Sequence, residues 1–167
     1  GKPVYSAVRD TTTIAHELAH QWFGDSVSPA RWKDIWLNES FATWNHLYWN
    51  ELHGGTAVRD AVRATYNARP FPDPADRPWW SVVIADPKRN TMFNNRVYDG
   101  GAMVLQFLRE RIGDEKFFSL LRTWATEHRY GNATTEQFTA LAERVSGQDL
   151  DAFFQTWIYS PGKPPLP

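Results

Sequence analysis

The sequence predicts a mainly α-helical fold, and three observations carry the prediction. Apolar residues recur three and four apart through most of the chain, capping residues and glycines bracket those runs, and the pattern fails in one long Pro-rich stretch. Taken in order, Thr11 to Thr13 offer N-caps for a first helix whose apolar stripe is Ile14, Leu18 and Trp22, ending at Gly24. The stretch DSVSPARWKD reads as a loop, with Pro29 as its breaker. A second helix is expected from near Asn38 to the Gly54-Gly55 pair, carrying Leu37, Phe41, Trp44, Tyr48 and Leu52 on one face. Thr56 caps a third helix that runs to about Ala68.

From Arg69 to Asn95 the periodicity dissolves into RPFPDPADRPWW and ADPKRN, an irregular segment that is either functional or a surface wrap. Helical spacing returns with Tyr98, Gly101, Leu105, Leu108 and Ile112 and stops at Gly113. Asp114 opens a fifth helix that carries Phe117, Leu121 and Trp124 toward Gly131. Thr134 with Gln137 makes a capping box for a sixth helix, which ends at Gly147. Leu150, Phe153, Phe154 and Trp157 mark a last helix, which the tail SPGKPPLP cannot continue. Residues 1–167 are expected to form one domain, and there is no internal repeat or low-complexity tract.

Composition excludes several function classes. With 42% hydrophobic and 22% charged residues the chain has the balance of a globular protein, and its net charge of −1 with scattered Lys and Arg favours neither nucleic acid nor an anionic membrane as partner. No apolar run approaches a membrane span, and GKPVYS at the start lacks a signal-peptide pattern. The compartment is left open. The absence of cysteine excludes disulfides and thiolate metal sites.

One constellation carries chemistry. The first helix reads His16-Glu17-Leu18-Ala19-His20. Residues four apart share a helical face with Cβ atoms roughly 5–6 Å apart, so two imidazoles there can reach one zinc ion. Glu17, beside His16, can be aimed at a metal-bound water rather than at the metal, which is the logic of the H-E-x-x-H motif. A third protein ligand is needed, and Glu39, within WLNESFA at the start of the second helix, supplies one. Glu39 begins a polar stripe with Thr43, His46 and Asn50 that is expected to face the metal, with Thr43 able to hydrogen-bond a ligating imidazole. Individually, His46, His53 and His128 read as ordinary helix-face histidines, and Glu51 with the charged residues near 109–116 as a solvated helix surface.

The segment HELAHQWFGDSVSPARWKDIWLNESFATW resembles the active-site segment of the aminopeptidase N-like zinc aminopeptidases, which are gluzincins. VYDGGAMVLQFLRERIGDEKFF is similar to that family's catalytic-tyrosine segment, and FFQTWIYSPGKPPLP to the end of its catalytic domain. The resemblance implies the helical, thermolysin-like C-terminal catalytic subdomain and one zinc held by His16, His20 and Glu39. It also implies hydrolysis of N-terminal peptide bonds by a zinc-bound water, with Glu17 as general base and the Tyr98 phenol stabilising the oxyanion. The implied partners are peptides with a free N-terminus. Two departures are visible: Gly100 stands where the family carries a basic residue, and no Gly-x-Met-Glu-Asn-like amine-binding segment is present. The chain therefore reads as part of a longer protein whose N-terminal β domain and exopeptidase segment lie elsewhere. The alternatives are a zinc-stabilised fragment without catalysis, an endopeptidase, and an epoxide hydrolase like the leukotriene hydrolases.

Overall fold

The computed structural model describes residues 11–74 and 78–167. The reading of GKPVYS as lacking a signal pattern, and residues 75–77 of the Pro-rich stretch, lie outside the described residues. Among those described are seven α-helices: α1 (Thr11–Ala19), α2 (Trp36–Leu52), α3 (Val58–Ala68), α4 (Gly101–Ile112), α5 (Asp114–Glu127), α6 (Thr135–Ser146) and α7 (Asp151–Phe154). Two short strands, β1 (Val27–Pro29) and β2 (Gly131–Ala133), complete the set. The mainly helical expectation holds.

Helix α4 forms the centre. Its residues Ala102 to Leu108 are apolar apart from Gln106 and almost wholly buried, the pattern of a helix enclosed on all sides. It packs against α2, α3, α5 and the π-helical turn Gln155–Tyr159 that follows α7. Aromatic residues fill the gaps: Phe41, Trp36, Trp124 and Phe154 pack around Phe138 edge to face or tilted, at ring separations of 5.2 to 6.4 Å along the chain of contacts.

The capping box of α6 is present as expected. Gln137 N–H donates to Thr134 Oγ1 at 3.3 Å, and Thr134 N–H donates to Gln137 Oε1 at 2.8 Å.

Three sequence expectations change. The 25–34 segment is not simply a loop, because Val27, Ser28 and Pro29 pair in parallel with Gly131, Asn132 and Ala133. Strands of three residues containing a proline leave no alternation to read. The Pro-rich stretch is more than a surface wrap, since Trp79, Trp80, Val82, Ile84 and Ala85 enter the core. Asp73 holds that excursion by accepting the backbone N–H groups of Trp79, Trp80 and Ser81 at 2.8 to 2.9 Å.

The stripe expected to bury α1 is open instead, with Leu18 48% and Trp22 58% exposed. The cause is that α1 meets α2 through the side bearing its histidines, so its apolar side faces away. Helix α1 also stops at Ala19, well before Gly24.

Candidate metal centre

Two elements bring the candidate ligands together. Helix α1 carries His16, His20 follows one turn later directly after the helix ends at Ala19, and the first turn of α2 carries Glu39. The start of α2 is fixed by the segment before it. Asp34 is fully buried and accepts the Thr135 N–H at 3.0 Å, the Thr135 hydroxyl at 2.8 Å and the Arg31 guanidinium at 2.8 Å. Trp36, the first residue of α2, donates its indole N–H to the same Thr135 hydroxyl at 2.9 Å. Burial favours the neutral acid at Asp34, but Arg31 and the Thr135 donors outweigh it and hold the carboxyl below its ordinary range.

The three ligand atoms form a near-equilateral triangle. His16 Nε2 lies 3.2 Å from His20 Nε2, and Glu39 Oε2 lies 3.5 Å and 3.4 Å from the two imidazole nitrogens. Two ligands on a tetrahedral zinc at bond lengths of about 2.0–2.1 Å stand roughly 3.3–3.4 Å apart. The donor set and the triangle therefore fit that ion.

The tautomer fits as well. His20 Nδ1 lies 2.9 Å from the Phe23 carbonyl, which can only accept, so in the neutral ring Nδ1 carries the proton and the Nε2 lone pair is free. At Glu39, burial works to raise the carboxyl, but the His16 and His20 imidazoles outweigh it and hold it down to about 2.

The turn after His20 depends on glycine. Gly24 has φ +142°, and a Cβ there would stand 3.2 Å from both His20 Nδ1 and the His20 carbonyl oxygen. The same turn delivers the Phe23 carbonyl to the ring.

Glu17 lies outside the triangle, yet its charge acts on both His20 and Tyr98. Tyr98 sits in the π-helical turn Arg96–Gly100, its ring 6.3 Å from that of His16 and nearly parallel to it. Burial first, then the neighbouring Glu39 carboxylate, push its phenol above the ordinary tyrosine value, so it stays a protonated donor. All five residues predicted as site residues therefore gather in one place.

Sequence reasoning misplaced some neighbours. His46 is no ordinary helix-face histidine: its ring lies 5.7 Å from that of His16, and with Thr12, Thr13 and His16 it lines a hollow of about 200 Å³. The signal was its position two turns beyond Glu39 on the polar stripe. His20 takes the Phe23 carbonyl as its partner, not the Thr43 hydroxyl, because the turn after α1 folds back under the ring. Glu51 is structural, accepting the Val58 N–H at 2.7 Å where α3 begins. Arg109 is not a solvated charge either: its side chain is 13% exposed, and its guanidinium lies over Tyr48 and Phe118 at 5.2 and 5.3 Å.

Glu143, Asp149 and Asp151 also cluster, but two of these carboxylates already serve backbone N–H groups at the start of α7.

Comparison with known proteins agrees with this geometry. Residues 4–157 match the Peptidase family M1 domain. The chain is 35% identical over 157 residues to Aminopeptidase M1-D of Oryza sativa subsp. japonica, covering 91% of this chain and 18% of that protein. It is 36% identical over 173 residues to Aminopeptidase N of Lactococcus lactis subsp. cremoris, covering 92% of this chain and 19% of that one. The chain thus spans about a fifth of the length of these curated relatives. Among solved structures, a mutant M1 zinc metallopeptidase from Deinococcus radiodurans, bound to a Tyr-Ser-Ala substrate, superposes with a TM-score of 0.80 at 28% identity, covering 95% of this chain and 35% of that one. With nearly the whole length of this chain matched to the family's domain and the two-histidine, one-glutamate triangle in place, the chain belongs to the peptidase M1 family.

Proposed function

We propose that this chain is the zinc-binding catalytic core of an aminopeptidase, in which His16, His20 and Glu39 hold the metal and Glu17 and Tyr98 carry the proton and charge chemistry. The observation that carries the reading is the 3.2–3.5 Å triangle of ligand atoms, with Glu17 beside it but not in it. A catalytic zinc has three protein ligands and an open position, whereas a structural zinc is closed by four, usually with cysteine. When bound, the zinc supplies Lewis-acid polarisation of a carbonyl and lowers the pKa of water toward neutrality.

The chain's own residues do the rest. Glu17 accepts a proton from the attacking water and delivers it to the leaving amine. Tyr98 donates its phenolic hydrogen to the carbonyl oxygen as negative charge develops there, a contribution of about 2.7–4 kcal/mol for a preorganised donor. Its raised pKa keeps that hydrogen in place across the working range. The relatives' names support a peptide substrate with a free N-terminus. The segment that reads the free amine is not among these residues, so exopeptidase specificity is assigned to the whole protein.

The test pairs metal content with substrate choice. Elemental analysis of the intact protein should return about one zinc per chain. A peptide with a free N-terminus should be cleaved, and its N-acetylated counterpart should not. Equal cleavage of both would make the protein an endopeptidase, and absence of bound zinc would remove the catalytic reading altogether.

A further inference from the structure

The residue after the ligand Glu39 touches the residue before Tyr98. Ser40 is fully buried, and its hydroxyl donates to the Val97 carbonyl at 2.6 Å. One buried hydrogen bond thus joins the peptide unit flanking the metal's carboxylate ligand to the peptide unit flanking the proposed oxyanion donor. The same two turns also meet through the side chains of Glu39 and Tyr98, which hydrogen-bond each other, so the Ser40 bond is the backbone-anchored link across 57 residues of sequence.

The packing around this bond admits little else. Helix α4 begins at Gly101, and a Cβ built there would fall 1.8 Å from Ser40 Oγ and 2.5 Å from Ser40 Cβ. The two elements therefore cross at a distance that only a glycine facing a serine permits. On the far side of the same turn a Cβ at Gly100 would meet Arg96 Cδ at 2.7 Å. Arg96 is itself buried, its guanidinium 4.8 and 4.7 Å from the Trp79 and Trp80 rings and donating to the Trp157 carbonyl at 3.3 Å. The turn carrying Tyr98 is a π-helical one, a widened turn that an α-helix adopts at a cost and that recurs at functional sites. It is held by Ser40 of α2 and by the buried side chain of its own first residue, Arg96.

We infer that Ser40 is a positioning residue: its bond to the Val97 carbonyl, made possible by Gly101, sets the height of the Tyr98 phenol relative to Glu39 and the metal. The inference rests on the function proposed above. A bond of this kind counts because the hydroxyl has no water to fall back on, and because displacements of 1 Å at a reacting centre are felt in turnover.

The experiment is a double-mutant cycle in the intact protein, read with a probe that needs no turnover. Ser40→Ala should lower kcat about three- to ten-fold, the size expected for one buried hydrogen bond, with KM changed less than about two-fold and zinc content unchanged. In a Tyr98→Phe background the same substitution should cost less than about two-fold, because Ser40 acts through the phenol. A uniform loss in both backgrounds would make Ser40 merely structural and overturn the inference, as would wild-type kinetics for Ser40→Ala.

Independently, 3-fluorotyrosine placed at position 98 should show a shifted or broadened fluorine resonance in Ser40→Ala, with and without zinc. Ser40→Cys, which keeps the volume and a weaker donor, should lie between it and wild type and stands in if the alanine variant fails to fold. An unmoved resonance in either variant overturns the inference. If the unsubstituted protein shows no zinc-dependent hydrolysis, the proposed function fails, and the fluorine readout still decides whether Ser40 places Tyr98.

Discussion

The metal centre joins two regions that are built differently. Glu39 belongs to α2, whose neighbouring residues Trp36, Phe41, Ala42 and Trp44 are at most 1% exposed and pack into the aromatic core. His16 belongs to α1, a nine-residue helix with only Ala19 buried, and His20 to the turn directly after it, with Leu18 and Trp22 open to solvent. A helix this short has little stability of its own in water. Among the described residues α1 leans chiefly on α2, so the ligand triangle spans a helix embedded in the core and one at its edge. The fold therefore supplies one ligand as part of its core and offers the other two from an edge. On the proposed reading, a bound metal would tie the edge to the core.

The largest expected effect separates chemistry from this architecture. Glu17→Gln should reduce turnover about 10²- to 10⁴-fold while leaving zinc bound, because Glu17 is outside the ligand triangle and is proposed to act on protons. Retained turnover in that variant would remove Glu17 from the chemistry and leave α1 as a carrier of a metal ligand alone. The contrast in packing comes next. Phe41→Ala should destabilise the protein by about 3–5 kcal/mol, and Leu18→Ala by no more than about 0.5 kcal/mol. Denaturant midpoints check this, and a large loss at Leu18 in the isolated chain would break the comparison directly.

Metal removal sharpens the same contrast. Zinc at a hundredfold excess over its Kd stabilises whatever state binds it by about 2.7 kcal/mol. Hydrogen exchange with and without chelator should show that protection concentrated in residues 11–24, with the core of α4 changing little. Uniform loss of protection along the chain would mean that α1 is as firmly held as α2, and that the open Leu18 and Trp22 face misleads.

How far the sequence shows this arrangement depends on the range of the contacts. The His16–His20 pair is legible because a helix places residues four apart on one face, and Glu39 because the connection is long enough to lay the two helices side by side and a polar stripe turns it back. The helix stops at Gly113 and Gly147 and the capping box at Thr134 are equally local. The misses are non-local. The exposure of Leu18 depends on which side of α1 meets α2, and periodicity defines a stripe without saying what covers it. The contact of His46 with His16 depends on how α1 crosses α2. The Ser40–Gly101 crossing leaves only a faint trace, a glycine pair inside an apolar helical run. Trp79 and Trp80 reach the core from a stretch whose prolines hide any period.

The smallest effect tests how the start of α2 is held. Asp34 lies at the junction of the 25–34 segment with α6, and it fixes the turn from which Glu39 projects. Its folded-state pKa is depressed below 3.8, so its contribution is fully present above that value and is lost as pH falls through the folded value. Asp34→Asn should therefore cost about 2 kcal/mol near neutral pH, since the charge-assisted bonds to Arg31 and Thr135 weaken. The gap between the variant and the wild type should close as the solution is made strongly acidic, because the wild-type carboxyl is then protonated too. Urea midpoints of both proteins down the acid range measure it. A gap that stays constant would mean that Asp34 acts through its shape and hydrogen-bond count alone. A gap that closes would show that a buried charge, rather than apolar packing, sets the entry of the more rigid of the two regions.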